Sequence, residues 1–215
     1  MRGFKSIAIL LCLAWCGSPW AGILYYFSDG ELVAFEEAGK ISGSYLNVMR
    51  ADEKSLECKF TFKTAGQSKK YAKRKIFAEE RSKYFHAKAN GYLHRAGDDW
   101  RIQIEFPSAG CRLFPWDFFS SNEKNANRFS VEEKKTAFGI FVLKENTSYR
   151  NENGGKLEIN DSRRDFLWKG DLVAVIKKKD GFSYIDHYFG YGGGAYKVRS
   201  SGWVKSSDVG NAISR

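Results

Sequence analysis

The chain carries three histidines, His86, His94 and His187, and four cysteines, Cys12, Cys16, Cys58 and Cys111. A thiolate beside an imidazole is the working pair of a cysteine hydrolase, so Cys58 or Cys111 with His86 or His94 would form such a dyad if the thiols stay reduced. Protein metal sites draw ligands from close spacings such as H-E-x-x-H or C-x-x-C. Neither pattern occurs here, and the G-x-S-x-G elbow of a serine hydrolase is also missing from the sequence. Adjacent carboxylates stand at Glu36/Glu37, Glu79/Glu80, Asp98/Asp99 and Glu132/Glu133. On a strand, neighbours point to opposite faces, unlike the two carboxylates that face one cleft in a glycosidase. Gly190, Gly192 and Ala195 satisfy G-x-G-x-x-A, but a dinucleotide fingerprint needs a buried strand before it and a helix after it. The flanks Tyr188–Phe189 and Tyr196–Val198 read instead as a loop between strands. The expectation is no catalytic residue, no metal and no cofactor.

Binding chemistry is better represented. Lys69, Lys70, Lys73, Arg74 and Lys75 form the densest basic cluster, continued by Arg81, Lys83 and Lys88 and interleaved with Tyr71, Phe77 and Tyr84. Such a set suits a polyanion or an acidic partner, and a solvated face is its plainer reading. The whole chain has 35 Lys and Arg against 25 Asp and Glu, a formal charge of +10, which steers encounter with anything acidic. Lys177 to Lys179 read as a solubilising turn. The glycine-rich stretch from Gly190 to Gly194 is bordered by Tyr188, Phe189, Tyr191 and Tyr196, aromatics that bury large rigid area at low entropic cost.

These residues need strands to hold them. Leu56, Cys58, Phe60 and Phe62 alternate with Glu57, Lys59 and Thr61, and Trp100 to Phe106 alternates again after the turn at Gly97 to Asp99, so both read as half-buried strands. Tyr84 to Leu93 is expected to hairpin onto the second of them. Ser68 to Lys83 fits either a short helix or a basic hairpin arm. Ser120 to Lys135 is polar, with few apolar anchors, and reads as an exposed connection. Phe138 to Lys144 is an apolar strand, Glu145 to Arg164 a polar excursion, and Leu172 to Ile176 and Phe182 to Asp186 a strand pair. The resulting expectation is a mainly β chain: an antiparallel barrel or sandwich over 22–119, a linker over 120–136, and a small β domain over 137–215. At 215 residues and 43% hydrophobic side chains, real cores are affordable, and neither a disordered tail nor a fibrous repeat fits.

The first residues are read as an address. Arg2 and Lys5 precede an apolar run from Ile7 to Cys16, and Gly17 to Ala21 closes it, the layout of a secretory signal cut after Ala21. The run is too short to span a bilayer, which takes about 20 apolar residues. No other segment is apolar enough to cross a membrane. Removal of the leader lowers the formal charge from +10 to +8 and leaves Cys58 and Cys111 as an even pair in an oxidising compartment, which reads as one disulfide worth about 4 kcal/mol in chain entropy. The expected location is periplasmic or secreted.

From Ala137 onward, Tyr149 and Arg150, Lys169 to Asp171, Val173 to Ile176, Gly181 to Tyr184, Gly202 to Val204, and Asp208 with Val209 follow one another in an order that resembles the bacterial SH3-like domain. The resemblance covers about a third of the chain, to Asp208, and departs from the family in two insertions, Asn151 to Arg164 and His187 to Ser201. It implies a small open β-barrel that holds peptidoglycan peptides or protein partners and does no chemistry itself. Tyr149, Arg150, Tyr184, Tyr188, Tyr191 and Trp203 become the candidate ligand contacts, although Trp203 reads first as a core residue and otherwise as one wall of a shallow groove with Tyr149 and Tyr184. The function expected is an exported, non-catalytic binding protein that recognises a cell-wall component or an envelope protein, with no nucleic-acid partner. The alternative is a periplasmic inhibitor or immunity protein against an envelope-targeting enzyme, for which an acidic target suits the charge.

Overall fold

The computed structural model describes residues 21–28, 31–51, 54–66, 73–81, 86–105, 111, 128–153, 155–159, 166–188 and 199–213. Nearly all of them lie in antiparallel strands. Eight strands close a barrel in simple chain order: β1 Gly22–Phe27, β2 Leu32–Glu37, β3 Lys40–Ala51, β4 Lys54–Thr64, β5 Lys73–Arg81, β6 His86–Ala96, β7 Asp99–Ile104 and β8 Arg128–Ala137, with β8 returning to β1. The expected antiparallel barrel or sandwich is thus a closed barrel. Closure leaves no edge strand to template aggregation.

Eight strands enclose a space that side chains can fill, and here aromatics fill it. Trp100 packs at ring-centroid distances of 4.9 Å from Tyr25 and 5.2 Å from Phe27, while Tyr45 stacks on Phe60 at 5.2 Å. Phe129 closes on Phe27 and Tyr45 edge-on. Cys58 and Cys111, both buried, stand at bonding distance with 2.06 Å between sulfurs. Polar groups collect towards the strand ends. Glu31 accepts from the Tyr45 hydroxyl at 2.6 Å and from Asn47 Nδ2 at 2.5 Å. Among another set, Glu36 accepts from the Tyr25 hydroxyl at 2.8 Å and from Arg95 Nη1 at 2.7 Å.

Strands β1 and β2 are buried on both faces. Tyr25, Phe27, Leu32 and Ala34 enter the barrel core, whereas Leu24, Tyr26, Val33 and Phe35 turn outward into a second core with Ala137, Ile140 and Ala174. That outward core seats a second sheet on the barrel wall. Its strands are β9 Gly139–Leu143, β11 Arg150–Asn153, β12 Lys156–Ile159, β14 Leu172–Lys179, β15 Phe182–Tyr188, β16 Arg199–Lys205 and β17 Val209–Ala212, in the order β12-β11-β16-β15-β14-β9-β17. A small pair, β10 Thr147–Ser148 and β13 Phe166–Leu167, lies beside it, and a single 3-10 turn, Ser206–Asp208, leads into β17. Tyr149, Leu167, Val173, Val175, Ile185 and Val204 form the second sheet's own core.

Two sequence readings change and a third is decided. The linker over 120–136 does not extend to its expected end: 128–137 is the strand that closes the barrel, and 120–127 lies outside the described residues. Its charged side chains, Glu132 to Lys135, sit on a strand with few inward positions to fill, so it reads as polar. The polar excursion after Glu145 contains the hairpin β11–β12 and widens the second sheet beyond β16. Of the two readings of Ser68 to Lys83, the described part takes the hairpin and not the helix: it is the barrel strand β5, which pairs with β6 and is also bound into the wall by β4.

Candidate functional site

Three adjacent strands bring the candidate ligand contacts together. Arg150 on β11 is the register partner of Trp203 on β16, and Trp203 is the partner of Tyr184 on β15. Residues that face each other this way share one face of the sheet. The Tyr184 and Trp203 rings meet edge to face, 5.4 Å apart. Phe182, two residues before Tyr184, joins the same face and lies 5.6 Å from the Arg150 guanidinium, which also donates to the Leu157 carbonyl at 3.4 Å. All four side chains stay partly exposed, with Ile159 at 57% exposure beside Arg150 across β12. The arrangement is an aromatic surface with a cation at its edge, suited to carboxylate-bearing, partly apolar ligands.

Tyr149 does not belong to that face. It is 3% exposed, packs in the second sheet's core and shares a hydrogen bond of 2.9 Å with the Ser200 hydroxyl. Gly202 makes room for it: a Cβ there would sit 2.5 Å from the Tyr149 ring. Alternation explains the split, because Tyr149 and Arg150 are neighbours and point to opposite sides. Tyr188 ends β15 opposite Arg199, and Tyr191 falls outside the described residues, as does the glycine-rich loop.

The face runs up to the junction with the barrel, where Asp186 is buried with its carboxylate 1% exposed. It accepts from the Tyr26 hydroxyl at 2.7 Å, Lys135 Nζ at 3.0 Å and Ser201 Oγ at 2.6 Å. A charge buried this deeply needs such partners. Nearby, the junction encloses a cleft of about 40 Å³ lined from the barrel by Lys59 and Leu46 and from the second sheet by Asp171, Val173 and His187. Ligand pockets run to about 300 Å³ or more, so this cleft is a seam that admits solvent rather than a substrate. His187 is 1% exposed and its Nε2 lies 3.5 Å from Asp171 Oδ2. Burial pushes the imidazole from 6.5 down to about 3, which makes it neutral and a weak base at neutral pH. Burial also raises the Asp171 carboxyl above its usual range, against the pull of the Trp168 amide and the Lys59 charge. The contact is therefore between a neutral ring and a carboxyl, and a His–Asp pair so placed is a structural one.

The basic cluster divides. Lys73 and Lys75 lie exposed on the outer wall of the barrel, whereas Arg74 between them turns inward, donating to the Gly39 carbonyl at 3.0 Å with its other terminal nitrogen 3.9 Å from Glu36. Lys69 and Lys70 lie outside the described residues. Among the described residues no three His, Cys, Asp or Glu side chains gather as metal ligands would, and no helix is long and apolar enough to cross a membrane. The sequence reading passed over Phe166 and Trp168, which flank the buried Leu167 and remain 42% and 61% exposed, their rings 4.9 Å apart. The alternation of Phe166, Leu167 and Trp168 is the signal that marks them.

Compared with known protein families, with curated proteins and with solved structures, the chain matches none.

Proposed function

We propose that the protein is an exported, non-catalytic recognition protein of the cell envelope whose second sheet is an SH3-like module holding a peptidoglycan peptide. The single observation that carries this reading is the register of Arg150, Trp203 and Tyr184 across β11, β16 and β15: a cation at the end of a row of partly exposed aromatics, matched to a peptide stem that ends in carboxylates. The strand order β17-β9-β14-β15-β16, with a 3-10 turn before the last strand, supports the SH3-like part of the reading. The disulfide supports export and engages both thiols that a cysteine hydrolase would use.

The test is retention on purified sacculi. The chain is expected to sediment with them, and Arg150→Ala and Trp203→Ala to lose about tenfold or more in retention, the effect of removing contact residues worth above 1 kcal/mol each. Sedimentation unaffected by both substitutions would refute the assignment of the site. A stable 1:1 complex with an envelope enzyme, formed without any affinity for sacculi, would replace this function with inhibition.

A further inference from the structure

Lys135 on β8 and Asp186 on β15 meet where the barrel carries the second sheet, with Nζ 3.0 Å from Oδ2. An amine and a carboxyl so placed can remain an ion pair, or they can lose water and become an amide. Three features of this pair favour the amide. The Asp186 side chain is 1% exposed, and charges held in so dry a place carry a desolvation penalty that a neutral, hydrogen-bonded amide escapes. Both carboxyl oxygens are fixed, Oδ1 by the Ser201 hydroxyl at 2.6 Å and Oδ2 by the Tyr26 hydroxyl at 2.7 Å, so the group cannot swing away from the amine. A second carboxylate attends the nitrogen: Glu133 Oε1 lies 3.5 Å from Lys135 Nζ. Glu133 and Lys135 are the register partners of Tyr26 and Leu24, whose side chains turn outward into the core under the second sheet. The ion pairs Lys134–Asp98 and Lys179–Glu152 lack the first feature, since their carboxylates are 61% and 43% exposed.

We propose that Lys135 and Asp186 condense into an intramolecular amide that welds the barrel to the second sheet. Nζ attacks Cγ, the N–C bond forms, the bond from Cγ to Oδ2 breaks, and Oδ2 leaves as water. An ammonium nitrogen gives up two protons in becoming an amide nitrogen. One crosses the 3.0 Å contact to Oδ2, and Glu133 takes the other from the nitrogen and returns it to the same leaving oxygen. The reaction needs no oxidant, reductant or cofactor. Oδ1 stays as the amide oxygen and keeps its bond from Ser201. Groups fixed side by side in the right orientation react as if present at about 10⁵ M or more, which favours a condensation that a free amine and acid do not undergo in water. The bond joins residues 51 positions apart and, unlike the disulfide, is indifferent to reductant.

The test is the intact mass of the purified chain with its disulfide reduced. The chain is expected to be lighter by one water than its sequence requires, and a protease digest to contain a branched peptide in which the segment around Lys135 is joined to the segment around Asp186. Lys135→Arg keeps the cation beside Asp186 and, with folding confirmed by circular dichroism, is expected to show its full mass. Glu133→Gln is expected to fold with the ion pair in place and to lose the water at least about a hundredfold more slowly, followed as mass against time. A chain that keeps its full mass after prolonged incubation would overturn the proposal. So would a lost water that maps to a linear peptide, as dehydration at Asp180–Gly181 would produce, or a loss that persists in Lys135→Arg. An unchanged rate in Glu133→Gln would overturn the proton transfer assigned to Glu133.

Discussion

Gly202 and His187 do structural work inside the second sheet. The ring of Tyr149 lies where any Cβ on Gly202 would go, 2.5 Å from its nearest carbon. Gly202→Ala therefore overpacks the second sheet's core, and an unfolding titration is expected to record a loss of about 1–3 kcal/mol. No measurable loss would mean that Tyr149 does not pack there. His187 gives a pH signature. Its imidazole takes a proton near 6.5 when unfolded but near 3 when folded, so between these values the unfolded chain binds the extra proton. Stability from burying the neutral ring is complete above 6.5 and is lost as the pH falls towards 3. Asp171 has the opposite sign, because a carboxyl raised above 3.8 contributes stability below that value and loses it as the pH rises through the folded one. Between pH 7 and about pH 4 the His187 contribution amounts to something on the order of 3 kcal/mol. His187→Leu is expected to flatten the acid limb of a melting-temperature profile; an unchanged limb would place the titrating group elsewhere.

At the scale of single elements, two hairpins turn tightly with both turn residues at positive φ: Ala38 and Gly39 at 48° and 75°, and Asp180 and Gly181 at 47° and 81°. Such two-residue turns match the twist of the strands they join, and prefer Asn or Asp before Gly. Asp180 meets the preference and Ala38 does not. Ala38→Asn is accordingly expected to stabilise the chain by about 0.5–1 kcal/mol, about 2 °C in melting temperature. A decrease would mean that the Ala38 side chain serves another contact. The same comparison shows what the sequence discloses. Strands with one wet face, such as β4 and β7, are legible from alternation. Strands β1 and β2 are not, because Leu24 to Phe27 and Leu32 to Phe35 are buried on both sides and alternation vanishes when both faces are covered. β8 and β11 fail for the opposite reason: charged or exposed residues dominate them, and only their pairing identifies them as strands. In the candidate site, Arg150, Tyr184 and Trp203 could be chosen from sequence order. Tyr149 and Arg74 could not be excluded, since only the phase of each strand tells which neighbour points inward.

For the molecule as a whole, the open question is whether the barrel and the second sheet unfold together. The core of Leu24, Tyr26, Val33, Phe35, Ala137, Ile140 and Ala174 draws on both, and the bonds to Asp186 from Tyr26 and Lys135 cross from one to the other. Shared apolar area couples the two, and the buried carboxylate makes the coupling specific, because without Tyr26 and Lys135 it would be left short of the donors it needs. Truncating one partner of a buried charged network costs about 3–5 kcal/mol, whereas removing a single neutral donor costs about 1 kcal/mol. Asp186→Ala strands Lys135 and Ser201 together, and Tyr26→Phe removes one hydroxyl from an otherwise intact set. Trp100 reports on the barrel core and Trp203 on the second sheet, so fluorescence melts of two variants that keep only Trp100 or only Trp203 of the six tryptophans read each part alone. In the otherwise unaltered chain the two curves are expected to coincide. Tyr26→Phe should shift both by the same small amount, while Asp186→Ala should separate them, the second sheet melting first because the barrel keeps its closure and its disulfide. Separate transitions without Asp186→Ala would show that the junction is a contact between independent folding units. Coincident transitions that survive it would assign the coupling to the apolar core alone.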